Sequence, residues 1–426
     1  MKGLTKSIFG IAAVALSFGT STGWAQSLEG RWDATLKSGG NSIPFRLDIS
    51  GEGPTLKGTL YSDEEKEFTT SASFKNGVLV LDLEHYLTKI TATFKNGELD
   101  GKIQARGDKG PEGSAFHAKR YVAPTAEEIA NVPSIAGVWE IPLDKPTAKG
   151  EKTQRLIVKQ TGAEAAASIL RVDGDTGALT GSWKDGKFAL SHFDGSRPGY
   201  MEITPLKDGT LQVLENGRRA GVKIAYRPEV ARAKGLPEPE DYTTHTTMRD
   251  PNEVFAWKFT DVDGKVESNE DPKYKGKVVL YIVTGTWCPN CHDEAQYLVQ
   301  LYPKYHDKGL EIVALDFEEP EQQDDLQRVH AFIKQYGVPY AYVIAGAPVE
   351  MWEKVPQAVN LNTWPATLFA GRDGRIKHIH TGFASPASGV FNEELKKEFT
   401  STIEQLLAEN DGVTGNQSAT KEVASR

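Results

Sequence analysis

Lys277-Val278-Val279-Leu280-Tyr281-Ile282-Val283 is continuously apolar after its first residue, and a run without alternation fits a strand buried on both faces of a mixed or parallel sheet. The segment beyond it is helical, because Tyr297, Leu298, Leu301, Tyr302 and Tyr305 recur at the spacing of one helix face. Leu310 to Phe317 reads as a second strand, and Leu326, Val329, Phe332, Ile333 and Tyr336 as the face of a second helix, which makes a βαβ alternation. Ala366 to Ala370 and Ile376 to Thr381 flank Arg372-Asp373-Gly374-Arg375 as a hairpin, and a last helix carries Leu395, Phe399, Ile403 and Leu406. A layered α/β domain is therefore expected over residues 251–410, followed by a small, polar, disordered tail over 411–426.

Upstream the pattern is different. Between Gly30 and Tyr226, short alternating segments are joined by Asn-Gly and Asp-Gly turns, as in Phe74-Lys75-Asn76-Gly77-Val78-Leu79 and Phe94-Lys95-Asn96-Gly97-Glu98-Leu99, which signals antiparallel hairpins. Gly30-Arg31-Trp32-Asp33 is echoed by Gly137-Val138-Trp139-Glu140, Leu56-Lys57-Gly58 by Leu179-Thr180-Gly181, and Arg120-Tyr121 by Tyr226-Arg227. Two units are expected, at 26–122 and 134–227, each of about 95 residues and so the size of a small antiparallel barrel or sandwich. Val122 to Pro133 and Pro228 to Pro251 read as linkers with Pro, charge and a short helix candidate each, the second setting a boundary at 228–250. The chain as a whole is thus expected to be multidomain α+β, which its 426 residues also demand, being too many for one core.

A net charge of -9, with Lys and Arg scattered among the acids, offers no basic stripe for a phosphate backbone and argues against nucleic acid as a partner. Lys2 and Lys6, the apolar run Ile8 to Phe18 and the small residues of Gly23-Trp24-Ala25 read as a secretory signal peptide over 1–25, cleaved after Ala25. The alternative, an N-terminal anchor, is disfavoured because the run falls short of the roughly 20 residues that span a bilayer. No later segment could span, and no Cys near the cleavage point could take a lipid, so a soluble protein of the periplasm or another exported space is expected.

Only two cysteines occur, and they stand together in Trp287-Cys288-Pro289-Asn290-Cys291, where the buried strand ends and the first helix begins. At a helix N-terminus the unpaired N-H groups and the positive end of the dipole stabilise a thiolate, and Pro289 suits the first turn because its missing N-H has no partner there. Both sulfurs then fall within one turn and can close a small disulfide, with Cys288 as the exposed attacking thiolate and Cys291 as the buried resolving thiol. A zinc site would need further Cys or His ligands, and no second close pair exists. A purely structural disulfide would close a loop too short to constrain the unfolded chain much.

Gly276-Lys277-Val278-Val279-Leu280, Thr286-Trp287-Cys288, Glu294 and the hairpin signal Asp261-Val262-Asp263-Gly264-Lys265 resemble the TlpA/ResA-like branch of the thioredoxin superfamily, over about Phe255 to Ala408. The resemblance implies a thioredoxin-like fold for the C-terminal domain. It also implies a cis Pro365, within Thr363-Trp364-Pro365-Ala366-Thr367, that faces the cysteine pair and offers backbone to a substrate strand. Glu294, six residues after Cys288, matches the acidic position of this branch, which implies a carboxylate that tunes thiol ionisation or relays a proton; the alternative is a solvated helix glutamate. Trp287, Cys288, Cys291, Glu294 and Pro365 are accordingly the candidate catalytic residues, and no cofactor or metal is expected beyond the redox-active disulfide.

The function implied is dithiol-disulfide exchange with protein thiols and disulfides, with electrons supplied by a membrane redox protein. The dipeptide between the cysteines, Pro-Asn, differs from the Pro-second pattern of the reducing members and leaves the direction open, with the reductant favoured. A redoxin-type thiol peroxidase is a second reading, although Thr284 precedes Cys288 by four without the Pro of the peroxidatic motif. A third is a surface binding protein in which the β-rich units hold the partner and the redox domain is ancillary. Three further groups draw bland expectations: His378 and His380 an exposed pair on one strand face, Glu318-Glu319-Pro320-Glu321 a solvated loop and helix start, and His292 a solvent-facing first-turn residue.

Overall fold

The computed structural model describes residues 27–38, 40–105, 112–122, 132–196, 198–216 and 221–409. The signal-peptide reading over 1–25, the tail over 411–426 and most of the first linker lie outside the described residues.

Asn76, Asn96 and Asp185 take positive φ just before Gly77, Gly97 and Gly186, the conformation that tight hairpin turns require, and each turn folds the chain back on itself. Among the described residues the first β-rich unit is a nine-stranded antiparallel sheet in which every strand but one pair joins its sequence neighbour. The exception is the edge: Glu65–Phe68 and Ser71–Lys75 end the sheet on opposite sides, while Gly30–Ser38 pairs with Ser114–Arg120. The second unit is an eight-stranded meander from Gly137–Pro142 to Val222–Ala225. It closes on itself through reciprocal 2.8 Å hydrogen bonds between the main chains of Glu140 and Tyr226. Each unit wraps a core of its own, built around Trp32, Leu47 and Leu81 in the first and Leu156, Phe188 and Ile203 in the second.

The two units share a clasp. Trp32 Nε1 donates to Leu28 O at 3.0 Å and Trp139 Nε1 to Ile135 O at 2.9 Å. Over these rings lie the guanidinium groups of Arg120, 4.0 Å from the Trp32 centroid, and Arg227, 3.7 Å from the Trp139 centroid. Gly30 and Gly137, both at positive φ, let each arginine pass: a Cβ at either position would lie 2.8 Å from a guanidinium nitrogen.

The C-terminal domain is a seven-stranded mixed sheet in the order Val266–Ser268, Lys258–Asp261, Ala341–Gly346, Leu310–Phe317, Val278–Thr284, Ala366–Ala370, Ile376–Thr381. Val278–Thr284 is buried at every position and pairs in parallel with Leu310–Phe317, as its unbroken apolar run requires. The helices Pro289–Tyr305 and Val390–Ala408 pack against one face through Leu298, Leu301, Phe399 and Ile403. Between the second β-rich unit and this domain the linker forms a short helix at Pro228–Ala233. Among the described residues no helix is long and apolar enough to cross a membrane.

Candidate active site

Strand Val278–Thr284 delivers the chain to Gly285, and Cys288 then caps the helix Pro289–Tyr305 with extended backbone (φ -101°, ψ 116°). Pro289 opens the helix, and Cys291 N donates to Cys288 O at 3.0 Å, so both sulfurs belong to the first turn. No disulfide joins them, and both are buried, Cys288 at 3% exposure and Cys291 at 1%. Burial of Cys288 departs from the exposed thiolate expected of the attacking residue, because surrounding segments close over it. On one side lies the loop of the Trp364-Pro365 cis peptide, whose Trp364 carbonyl accepts a 3.5 Å hydrogen bond from Cys288 Sγ.

Trp287 is fixed by donating from Nε1 to Phe317 O at 2.9 Å and by edge contact with Trp364, 5.2 Å between centroids. Only glycine fits at 285, since a Cβ there would lie 2.4 Å from that indole nitrogen, a constraint that no sequence pattern singles out. Thr286 joins the site to a buried ion cluster: its hydroxyl donates to Glu318 and accepts from Arg328 Nε at 2.9 Å, and Arg328 also grips Glu319 at 3.0 Å. Glu318 is thus fully buried rather than solvated, a correction with a clear cause, since Arg328 supplies the charge that its desolvation demands. No pattern around Arg328 in the sequence marks it as buried.

Glu294 lies one turn beyond Cys291, 1% exposed, with one carboxyl oxygen accepting from Thr367 Oγ1 and the other meeting no protein donor. Burial, with a smaller contribution from Cys288, lifts its pKa to about 8 against the pull of Thr367. Glu294, Cys291 and Thr284 line a common cavity of about 10 Å³ with Tyr340 and Tyr342. Burial and the neighbouring Cys288 push the Cys291 thiol up as well. The pair therefore sits over a store of protons in which the acid and the resolving thiol are both neutral near pH 7.

His292 faces inward, contrary to expectation. Its Nε2 lies 2.7 Å from Thr286 O, a carbonyl that can only accept, so Nε2 carries the proton and Nδ1 accepts from Tyr336 OH at 2.9 Å. Its ring stacks on Tyr86 of the first β-rich unit at 4.2 Å, and burial, reinforced by His85, lowers its pKa to about 3. A helix position that looks exposed within one domain is covered by another, which periodicity cannot show. His378 and His380 are likewise not an exposed pair: both bond one oxygen of Glu398, at 2.6 and 2.9 Å, and pull that carboxyl to about 2 although burial opposes them.

The sequence model of the family described as Redoxin matches residues 249–393. Thiol-disulfide oxidoreductase ResA of Bacillus thuringiensis subsp. konkukian is 31% identical over 137 residues, 32% of this chain and 71% of that protein. Thiol-disulfide oxidoreductase ResA of Geobacillus kaustophilus is 32% identical over 141 residues, 33% of this chain and 74% of that protein. A crystal structure of a putative thiol:disulfide interchange protein DsbE from Chlorobium tepidum is similar at 17% identity and a TM-score of 0.30, over 37% of this chain and 99% of that one.

Proposed function

The chain belongs to the TlpA/ResA-like thiol-disulfide oxidoreductases of the thioredoxin superfamily, and on that premise we propose that it is an exported reductant of protein disulfides, acting through Cys288 and Cys291. The observation that carries the reading is the stacking of functions within the first two helical turns: Cys288 at the N-cap, Cys291 beneath it, and Glu294 sharing a cavity with Cys291.

In the forward step the Cys288 thiolate attacks one sulfur of a partner disulfide. That S-S bond breaks, a mixed disulfide forms on Cys288, and the second partner sulfur leaves as a thiolate that takes up a proton. With Glu294 in its carboxylate form, Cys291 gives its proton to it, attacks Cys288 Sγ, closes the Cys288-Cys291 disulfide and releases the first partner sulfur as a thiolate that takes up a proton. Two electrons and two protons pass to the partner. Trp364 O and the backbone of Pro365 lie beside Cys288, where an extended substrate segment can pair, and Trp287 braces that loop. An oxidant gains its power from a stabilised dithiol state, so the reducing direction proposed here requires a Cys288-Cys291 dithiol no more stable than thioredoxin's. Regeneration requires a donor of two electrons, for which a membrane redox protein is proposed; no bound cofactor is invoked.

Equilibration in graded thiol buffers, followed by alkylation and mass measurement, tests this. A potential near thioredoxin's, about -270 mV, is expected; one near -120 mV would reverse the direction, and a pair that never closes overturns the reading.

A further inference from the structure

In the second β-rich unit the strand Glu164–Leu170 ends in a tight turn, Arg171 to Gly174, whose end residues exchange main-chain hydrogen bonds of 3.0 and 3.1 Å. This turn docks on the redox motif itself. Asn290, between the two cysteines, donates from Nδ2 to Asp173 O at 2.9 Å. Gly174 (φ +116°) admits no side chain, since a Cβ would lie 2.6 Å from Phe383 O and 2.7 Å from Asn290 Nδ2. Gly382 (φ +77°) answers from the redox domain, where a Cβ would lie 2.6 Å from Val172 O and 2.7 Å from Gly174 N. The same Gly382 donates to Pro365 O at 2.9 Å, so the turn abuts both the helix that carries the cysteines and the loop that carries Pro365.

Asp175 pins the turn down, accepting from Ser385 N at 2.8 Å, from Ser385 Oγ at 3.0 Å and from Ser388 Oγ. Yet the turn is a thin wall. Arg171 and Gly174 line two cavities at once, one of about 190 Å³ with Pro289, Asn290 and Asp293, the other of about 240 Å³ with Thr381, Phe383 and Ala384. Space on both sides leaves it room to move, and Val172, 1% exposed, is the turn's one apolar side chain that such a movement uncovers.

We propose that the Arg171–Asp175 turn is a gate on the redox pair, latched by Asn290 and Asp175, and that a protein disulfide engages Cys288 after the turn lifts from the Gly382 loop. This rests on the exchange reading above. It gives the Pro-Asn dipeptide a role, since the Asn290 amide is the donor that the turn's carbonyl accepts, and it sets a movable segment against the motif whose nucleophile is only 3% exposed. Asn290 is on this view a positioning residue, acting through the turn.

The rate of insulin disulfide reduction by full-length protein is compared among the wild type, Gly174→Val, which wedges the contact, and Asp175→Ala, which removes the pin without touching a positive-φ position. The reduction potential of each is measured alongside. If the closed state dominates, the rate scales with the open fraction, and both variants should reduce insulin about tenfold faster with the potential unchanged. Unchanged insulin rates in proteins whose pair still cycles in thiol buffers overturn the gate alone, as does a rate gain matched by a shifted potential. A pair that closes in none of the three overturns the exchange reading and the gate with it.

Discussion

Glu294 is the residue whose environment most alters its chemistry. Its ordinary pKa of 4.5 rises to about 8 because burial penalises the carboxylate. A folded-state pKa above the unfolded one means that the native state binds the extra proton, so the contribution to stability is whole below pH 4.5 and is lost as pH rises through 8. Glu294→Gln should remove its share of that fall: unfolding free energies from urea melts of the reduced protein at pH 5 and pH 8.5 should differ by roughly 3 to 5 kcal/mol less than in the wild type. A wild-type slope retained in the variant would place the titration elsewhere. The position of Glu294 was legible from its spacing to Cys288, and the motif from its place between strand and helix. Thr367, Gly285 and Arg328, which shape the same site, were not, because their contacts bridge 42 to 73 positions of sequence or depend on the close approach of an indole ring.

At the level of elements, turns and apolar runs carried the prediction. The Asn-Gly turns after Lys75 and Lys95 and the hairpin around Gly374 form where the sequence places them, because positive φ at those positions leaves the chain few alternatives. The closure of the second sheet was less visible, since the joining pair, Glu140 and Tyr226, carries no turn signal and is separated by the whole unit. The clasp beside it offers a test. Arg227 lies over Trp139 and donates to Ala136 O at 2.9 Å, so Arg227→Met, which keeps the stem but loses charge and donors, should cost about 1 to 2 kcal/mol. Chemical denaturation followed by tryptophan fluorescence reads this directly; no loss would mean that the ring is held by its Leu156 and Ile141 neighbourhood alone.

Across the whole molecule, the three folded parts are tied by side chains that single-domain patterns cannot foretell. Ser62 reaches His192 at 2.7 Å and Thr88 reaches Gly195 O at 2.6 Å between the two β-rich units, and Ser168 reaches Ala387 O at 3.1 Å into the redox domain. Glu65 of the first unit bonds Ser385 beside Asp175, and burial together with Asp175 lifts Glu65 to about 7. These ties should make heat unfolding of the full chain one cooperative transition, and Asp175→Ala should split it in calorimetry into separate β-rich and redox events. A single unsplit peak in the variant would show that other contacts suffice.

The join between the two ends of the first sheet has a consequence for survival at high concentration. Its two ends, Glu65–Phe68 and Ser71–Lys75, are separated only by Thr69 and Thr70, whose main-chain N-H groups donate to Gly58 O at 3.1 Å and Asp82 O at 2.7 Å, which leaves little free edge where a foreign strand could add and start a polymer. Glu65 and Glu67 on the first of these strands are already held by Ser385 and His85, and the second unit closes through the main chains of Glu140 and Tyr226. Strand addition is thus discouraged by geometry in both units.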